Sequence, residues 1–327
     1  MRRYPVTEFI DMVNAHGIAY HEKKLGQLFC DHSAQDIVDM LLAEAANAGV
    51  QIRLKSEVSE VVPIASGFRV NVTKRKGKTA IDAYALEAPR VVLASGGLSL
   101  PKIASDLAYR TARELGMSVV APSPALVPLT WNNADKADFA GLSGVAVDCE
   151  IGCSGQFFRE NLLFTHRGLS GPAILQASSY WRAGDVVDIN LLPELDVLSW
   201  LRQLQQDRGK ISLSTALKSL LPNRLIDVLI DRWFDDQILG NMSAAQCDDV
   251  AKHLQAWRFR PGGTEGYRTA EVTLGGLATT EFSSKTFEAK GYPGLYAIGE
   301  ALDVTGWLGG YNFQWAWASG YCCAEQL

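Results

Sequence analysis

The sequence predicts a two-part α/β fold, a sheet with buried parallel strands interrupted by an inserted, mainly β unit that holds a helical stretch of its own. Three observations predict it. Two short apolar runs, residues 90–95 and 293–299, each end in glycine and read as buried parallel strands that stand far apart in the chain. Between them Pro122, Pro124 and Pro128 break the pattern and alternating segments begin. Residues 196–256 then carry Leu201, Leu204, Leu213, Leu217, Leu221, Ile226, Leu229 and Trp233 at helical spacing with almost no strand signal. A prior of about 150 residues per domain also suggests two units for 327 residues.

Each element follows in order. Phe9, Ile10, Met12 and Val13 predict a first helix before Gly17, and residues 37–42 a second after Ser33, a candidate N-cap. Residues 50–54 read as a short strand. Residues 58–64, 68–74 and 80–86 are β-like runs separated by Ser66-Gly67 and Lys76-Gly77, which predicts a β-meander. The buried strand at 90–95 and a helix near 105–115 complete the first part. In the insert, residues 144–151 and 186–192 alternate as strands. Residues 271–277 return to β, and the strand at 293–299 leads through Gly309-Gly310 into a last helix. The expected units are residues 1–121 with 275–327, and an insert at 122–274 with its helical part at about 194–256.

Composition limits the function classes. A net charge of -5 and a pI near 5.6 give no large basic field, so neither nucleic acid nor an anionic membrane is expected as the main partner. No apolar run approaches the roughly 18 residues of a membrane span, and the first twenty residues lack a signal-peptide pattern, which predicts a cytoplasmic protein. Six cysteines without a C-x-x-C pair indicate neither a zinc site nor a redox dithiol, and no metal is expected.

The segment 294–317, GLYAIGEALDVTGWLGGYNFQWAW, carries the most specific signal. Its strand delivers Gly299 to a sheet edge, where the missing Cβ lets a ligand approach the backbone. Glu300 follows and can accept hydrogen bonds from sugar-like hydroxyls such as a ribityl chain. Gly309, Gly310, Tyr311 and Asn312 open a helix whose free N–H groups and positive end suit the negative charge that develops on a reduced flavin. Read alone, Gly-Gly is a tight turn and Glu300 a solvated carboxylate. Ala94, Ser95, Gly96 and Gly97 end the other strand in the same manner, and again a turn without a ligand is the plainer alternative. In the insert, residues 163–172 place His166 among glycines, where an imidazole suits a general acid beside a hydride acceptor, although a lone histidine is more often structural. Trp307, Tyr311, Phe313, Trp315 and Trp317 line a pocket or form a core face.

These residues resemble the YhiN/BaiN-like NAD(P)/FAD-dependent oxidoreductases over essentially the entire chain. The resemblance rests on residues 24–30 (KLGQLFC), 93–97 (LASGG), 164–172 (FTHRGLSGP), 273–276 (TLGG), and 299–300 with 309–312. It implies a glutathione-reductase-like FAD domain interrupted by a split β-barrel that holds a helical bundle. It also implies that Val58 contacts the adenine end through its backbone, and that Gly96, Gly97, Gly299, Glu300 and residues 309–312 surround the FAD. Members of that family begin with a β-α-β unit bearing a G-x-G-x-x-G loop, which this sequence does not contain, so the FAD domain is expected to be incomplete at its N-terminus. The expected activity is hydride transfer between NAD(P)H and a small unsaturated or carbonyl-containing molecule through FAD. The alternative is a truncated, non-catalytic remnant that serves as a binding module. A third reading, an RNA-modifying flavoenzyme, is disfavoured by the acidic balance and the absence of a basic patch.

Overall fold

The chain's structure is a computed structural model that describes residues 2–23 and 26–327. It divides into two units, the first built from residues up to 98, 102–123 and 272–327, the second from residues 99–101 and 124–271. Each has its own apolar core, gathered around Tyr109, Leu277, Leu295 and Ala297 in the first and around Phe139, Ile151, Phe164 and Leu254 in the second.

The first unit opens with helix α1 (Val6–Ala15), a hairpin of β1 (Tyr20–Glu22) and β2 (Leu28–Cys30), and helix α2 (Gln35–Asn47). Ser33 lies one residue outside the cap position; its hydroxyl accepts from the Gln35 amide at 3.1 Å. The expected strand at 50–54 does not form. Val50, Ile52 and Leu54 are all exposed and belong to no strand ladder among the described residues; the Val50 amide instead donates to the Ala45 carbonyl at the end of α2. The meander is present as β3 (Ser56–Ile64), β4 (Gly67–Lys76) and β5 (Thr79–Ala88), antiparallel throughout, with a bulge between Val58 and Glu60. Its first turn is tight. A Cβ on Gly67, at φ +133°, would lie 2.3 Å from the Ala88 carbonyl oxygen, so only glycine fits. Strand β6 (Val91–Leu93), helix α3 (Leu107–Glu114) and strand β7 (Val119–Ala125) follow.

In the second unit the elements run β8 (Leu129–Thr130), α4 (Asn133–Phe139), β9 (Ala146–Cys153), β10 (Gln156–Phe164), β11 (Gly168–Ser170), α5 (Pro172–Ser178) and β12 (Val187–Asn190). Helices α6 (Val197–Arg208), α7 (Leu213–Leu217), α8 (Asn223–Trp233) and α9 (Ala244–Gln255) come next, then β13 (Trp257–Phe259) and β14 (Gly263–Thr264). The strands form one sheet in the order β13-β12-β9-β10-β11-β8-β14. Three helix starts explain themselves in the sequence, because Asp196, Ser212 and Ser243 each accept a hydrogen bond from the amide three residues on. Phe139 is fully buried against Trp131, Trp257 and Trp233, with ring centroids 5.2–6.0 Å apart.

The chain then re-enters the first unit. Strand β15 (Val272–Leu277) pairs with β7, and β16 (Leu295–Ala297) lies parallel to β6 with Leu295 opposite Val91 and Ala297 opposite Leu93. Helix α10 (Tyr311–Ala324) closes the chain, with Cys322 and Cys323 buried against the core.

Candidate functional site

The parallel pair of β6 and β16 brings two glycine turns, more than two hundred residues apart in sequence, to the same sheet end. The ladder extends by one bond, from the Ile298 amide to the Leu93 carbonyl at 3.1 Å, and both strands then stop. Gly96 has φ +69° and Gly299 has φ +61°, backbone conformations that side chains rarely tolerate. Gly299 is held from behind by α10. Its amide donates to Ser319 Oγ at 2.9 Å, and its carbonyl accepts from Trp315 Nε1 at 3.0 Å.

Thr273, which sequence reasoning quoted within a motif but gave no role, is the junction of these turns. Its hydroxyl accepts from the Leu98 amide at 2.7 Å, its amide donates to Glu300 Oε1 at 2.6 Å, and its carbonyl accepts from Thr305 Oγ1 at 3.1 Å. Gly97 packs into this junction. A Cβ there would stand 2.4 Å from Thr273 Oγ1 and 2.6 Å from Glu300 Oε1. Part of the Glu300 carboxylate is thus engaged by the β15 backbone, a charge-assisted contact that orients the side chain. The signal that could have found Thr273 is its place directly before Leu274-Gly275-Gly276, where Gly275 lies so close to β7 that a Cβ would meet the Ala121 carbonyl oxygen at 2.6 Å.

Gly309 and Gly310, at φ +111° and +87°, turn the chain into α10, and Gly310 occupies the N-cap. Asn312 fixes the approach to this turn by accepting from the Gly306 amide at 2.8 Å and donating to the Gly306 carbonyl at 3.0 Å. The first-turn N–H groups have no intrahelical partner. Open space lies beside Gly96 and Gly310, where an added Cβ would meet nothing within 4 Å. Ser95 Oγ is buried without a hydrogen-bond partner, a state that costs about 1–3 kcal/mol unless a ligand group satisfies it. An orphaned hydroxyl, two open positive-φ glycines and the start of a helix fit a flavin nucleotide with an anionic moiety.

The remaining expected residues are placed as follows. Ala94 is exposed at the end of β6, and Val58 is half-buried on β3 opposite Val72. Trp315 packs on the core and Trp317 stacks on Phe9 at 4.5 Å, whereas Trp307, Tyr311 and Phe313 are exposed. His166 belongs to the second unit, exposed in the turn from β10 to β11 that Thr165 organises by accepting from the Arg167 and Gly168 amides. Arg167 pairs with Glu265 at 3.3 Å. Of the stretch 24–30, Lys24 and Leu25 lie outside the described residues. A cavity of about 430 Å³, lined in part by Arg3, Phe282, Phe287, Leu302 and Trp315, includes none of the glycine turns. Among the described residues no cluster of three metal-ligating side chains occurs, and no helix is long and apolar enough to cross a membrane.

The model of the HI0933-like protein Rossmann domain matches residues 1–326. The chain belongs to that family of Rossmann flavoproteins. It is similar to the ribosomal RNA dihydrouridine synthase of Escherichia coli (strain K12), at 47% identity over all of this chain and 80% of that protein. The protein of the same name from Haemophilus influenzae is 44% identical over all of this chain and 81% of its own length. The 3-dehydro-bile acid delta(4,6)-reductase of Clostridium scindens is 31% identical over 80% of this chain and 68% of that enzyme.

Two expectations are overturned by the full-length relatives. A small unsaturated or carbonyl-containing substrate and the absence of a nucleic-acid partner were expected, yet two relatives that match the entire chain are named for ribosomal RNA. The physical reason is that net charge averages over the whole surface, whereas salt limits each charge's reach to about 8 Å. A chain of 31 basic and 36 acidic residues can therefore be acidic in total and basic where it meets a polyanion.

Proposed function

We propose that this chain is a flavin-dependent reductase of ribosomal RNA that converts uridine to dihydrouridine, with FAD at the glycine turns of the first unit and NAD(P)H as the electron source. The observation that carries this reading is the 47% identity, over the full chain, to a protein named for that reaction. The 31% identity to a protein named 3-dehydro-bile acid delta(4,6)-reductase agrees with a reductive chemistry. The reaction adds one hydride and one proton across the C5–C6 double bond of uracil. Bound FAD supplies the hydride chemistry. Gly96 would let the backbone of one turn approach the cofactor, with Gly97 seating that turn on Thr273 and Glu300, and Gly299, with Glu300 oriented by Thr273, would border it from the other. Ser95 Oγ would gain a partner, and the amides of Gly309, Gly310, Tyr311 and Asn312 would be available to an anionic part of the cofactor. Ala94 and the Val58 backbone border the nucleotide. His166 is the candidate proton donor. A ribosomal RNA substrate fits a cytoplasmic protein.

We further read the second unit as a split barrel that spans roughly residues 122–274. Strands β13 and β14 stand at opposite ends of the strand order, yet Phe259 and Gly263 are four residues apart, at most about 14 Å of chain. A flat sheet of seven strands would separate its edges by roughly 29 Å, so the sheet must curl.

Because the sequence holds no G-x-G-x-x-G loop, the cofactor is tested first. The visible spectrum of the purified chain with added FAD should differ from that of free FAD and bleach anaerobically with NADH or NADPH. The reduced protein should then raise unmodified ribosomal RNA transcripts by two mass units at a uridine. A bleached flavin without that mass change would refute the RNA substrate, and a free-FAD spectrum throughout would refute the cofactor site.

A further inference from the structure

The open end of the meander concentrates positive charge. Arg53 and Lys55 lead into β3, Lys74, Arg75 and Lys76 end β4, and Lys78 sits in the turn before β5. The hydrogen-bond register brings them to one edge, with Ser56 opposite Lys74 and Lys76 opposite Thr79. The Arg75 amide donates to the Lys55 carbonyl at 2.8 Å, which ties the approach segment to β4. Three strand ends span roughly 10 Å, about one Debye length, so these charges act on a ligand as a group.

Carboxylates at this edge are fewer. Glu57 is paired with Arg75, and Asp82, opposite Lys74, accepts from the Ala83 amide at 2.9 Å. No ion pair engages Lys55, Lys74, Lys76 or Lys78 among the described residues, and all four are exposed. Arg53 lies over the Tyr84 ring at 5.6 Å, which holds its guanidinium in place. Six cations thus face two carboxylates in a chain whose net charge is -5.

We propose that this end of the meander is a docking arm that grips the phosphate backbone of the RNA substrate. The proposal rests on the reading that the substrate is ribosomal RNA. Lysines on a rigid β-ribbon suit this task because phosphate contact needs charge in a fixed place and no base readout. The arm therefore contributes affinity and orientation, and the selection of the target uridine falls to other residues.

The test compares the full chain with K55Q/K76Q/K78Q and with K55R/K76R/K78R. Binding to ribosomal RNA transcripts is measured between 0.1 and 1 M salt, together with FAD binding and dihydrouridine formation. The Gln variant should bind FAD as the parent does. Its slope of log K against log salt should be smaller by about 2–3, which amounts to about 10²-fold or more in affinity between 1 M and 0.1 M. The Arg variant should keep the parental slope. An unchanged slope in the Gln variant, with the parent still reducing uridine, would overturn the arm and leave the proposed reaction standing. An Arg variant as weak as the Gln variant would overturn the arm too, since position rather than charge would then matter. A parent that neither binds nor reduces ribosomal RNA, or that binds phosphatidylglycerol vesicles instead, would overturn both.

Discussion

Adding one methyl group at Gly97 or at its neighbour Gly96 should have opposite characters. At Gly97 the new Cβ would enter the junction of Thr273 and Glu300 at 2.4 and 2.6 Å, about 1 Å inside ordinary contact. Thr273 cannot swing aside without loss, because its hydroxyl, amide and carbonyl are all engaged, by Leu98, Glu300 and Thr305. Overpacking costs about 1–3 kcal/mol, and a lost hydrogen bond to a carboxylate about 1.5–3 kcal/mol. Gly97→Ala should therefore lose about 3–5 kcal/mol, roughly 10 °C or more in the melting of a unit this size. At Gly96 the methyl meets nothing within 4 Å, so only the left-handed backbone at φ +69° penalises it, by about 1–2 kcal/mol. Gly96→Ala should melt only a few degrees early yet hold FAD more weakly, since the methyl occupies the space the cofactor is proposed to enter. Thermal unfolding with and without FAD separates the two effects. A Gly97→Ala midpoint within two degrees of the parent, or a Gly96→Ala change that costs more stability than Gly97→Ala, would refute the reasoning.

Three further outcomes are expected. Burial pushes the Cys149 thiol up to about 12 and raises Cys153, Cys247 and Cys323, and Cys322 is buried as well, so Cys30 alone should react within minutes with a thiol reagent in the native chain; a second fast thiol in a stopped titration would contradict the packing. The Ser199 amide, and then its hydroxyl, hold the Asp196 carboxyl below the usual range. This contribution is present above the unfolded pKa and lost as pH falls through the folded one. Asp196→Ala should lower the unfolding midpoint at neutral pH, with a gap that closes in acid; a gap independent of pH would rule out the charged cap. Phe139→Ala should cost about 3–5 kcal/mol in denaturant unfolding, whereas Phe157→Ala, at a side chain 67% exposed, should stay within about 0.5 kcal/mol.

The elements that were legible in the sequence are those whose local chemistry agrees with their place. The meander announces itself by alternation and by turn glycines, and the two short runs at 91–93 and 295–297 by unbroken apolar residues leading to glycine. Residues 50–54 look like a strand because Val50, Ile52 and Leu54 alternate, but alternation does not supply a partner. Gly96, Gly97, Gly299 and Gly310 were legible as turns. Thr273 was not legible as their junction, since its three partners lie 27 to 175 residues away and no local pattern encodes such contacts. The charge total was legible and its distribution was not: Lys55 and Lys76 belong to different segments until the β3–β4 register places them at one edge.

The ladder between β7 and β15 has a consequence for how this protein tolerates change. The chain leaves the first unit through β7 and returns through β15, and these two strands are hydrogen-bonded neighbours. To the first unit, residues 124–271 are therefore one long loop with its ends already clasped. Doubling the length of such a loop costs only about 0.6 kcal/mol of closure entropy. The insertion point acts as a socket: cargo of a different size can be plugged in there at little thermodynamic penalty to the host, so the inserted unit is free to diverge at its own pace while the glycine-framed sheet stays put.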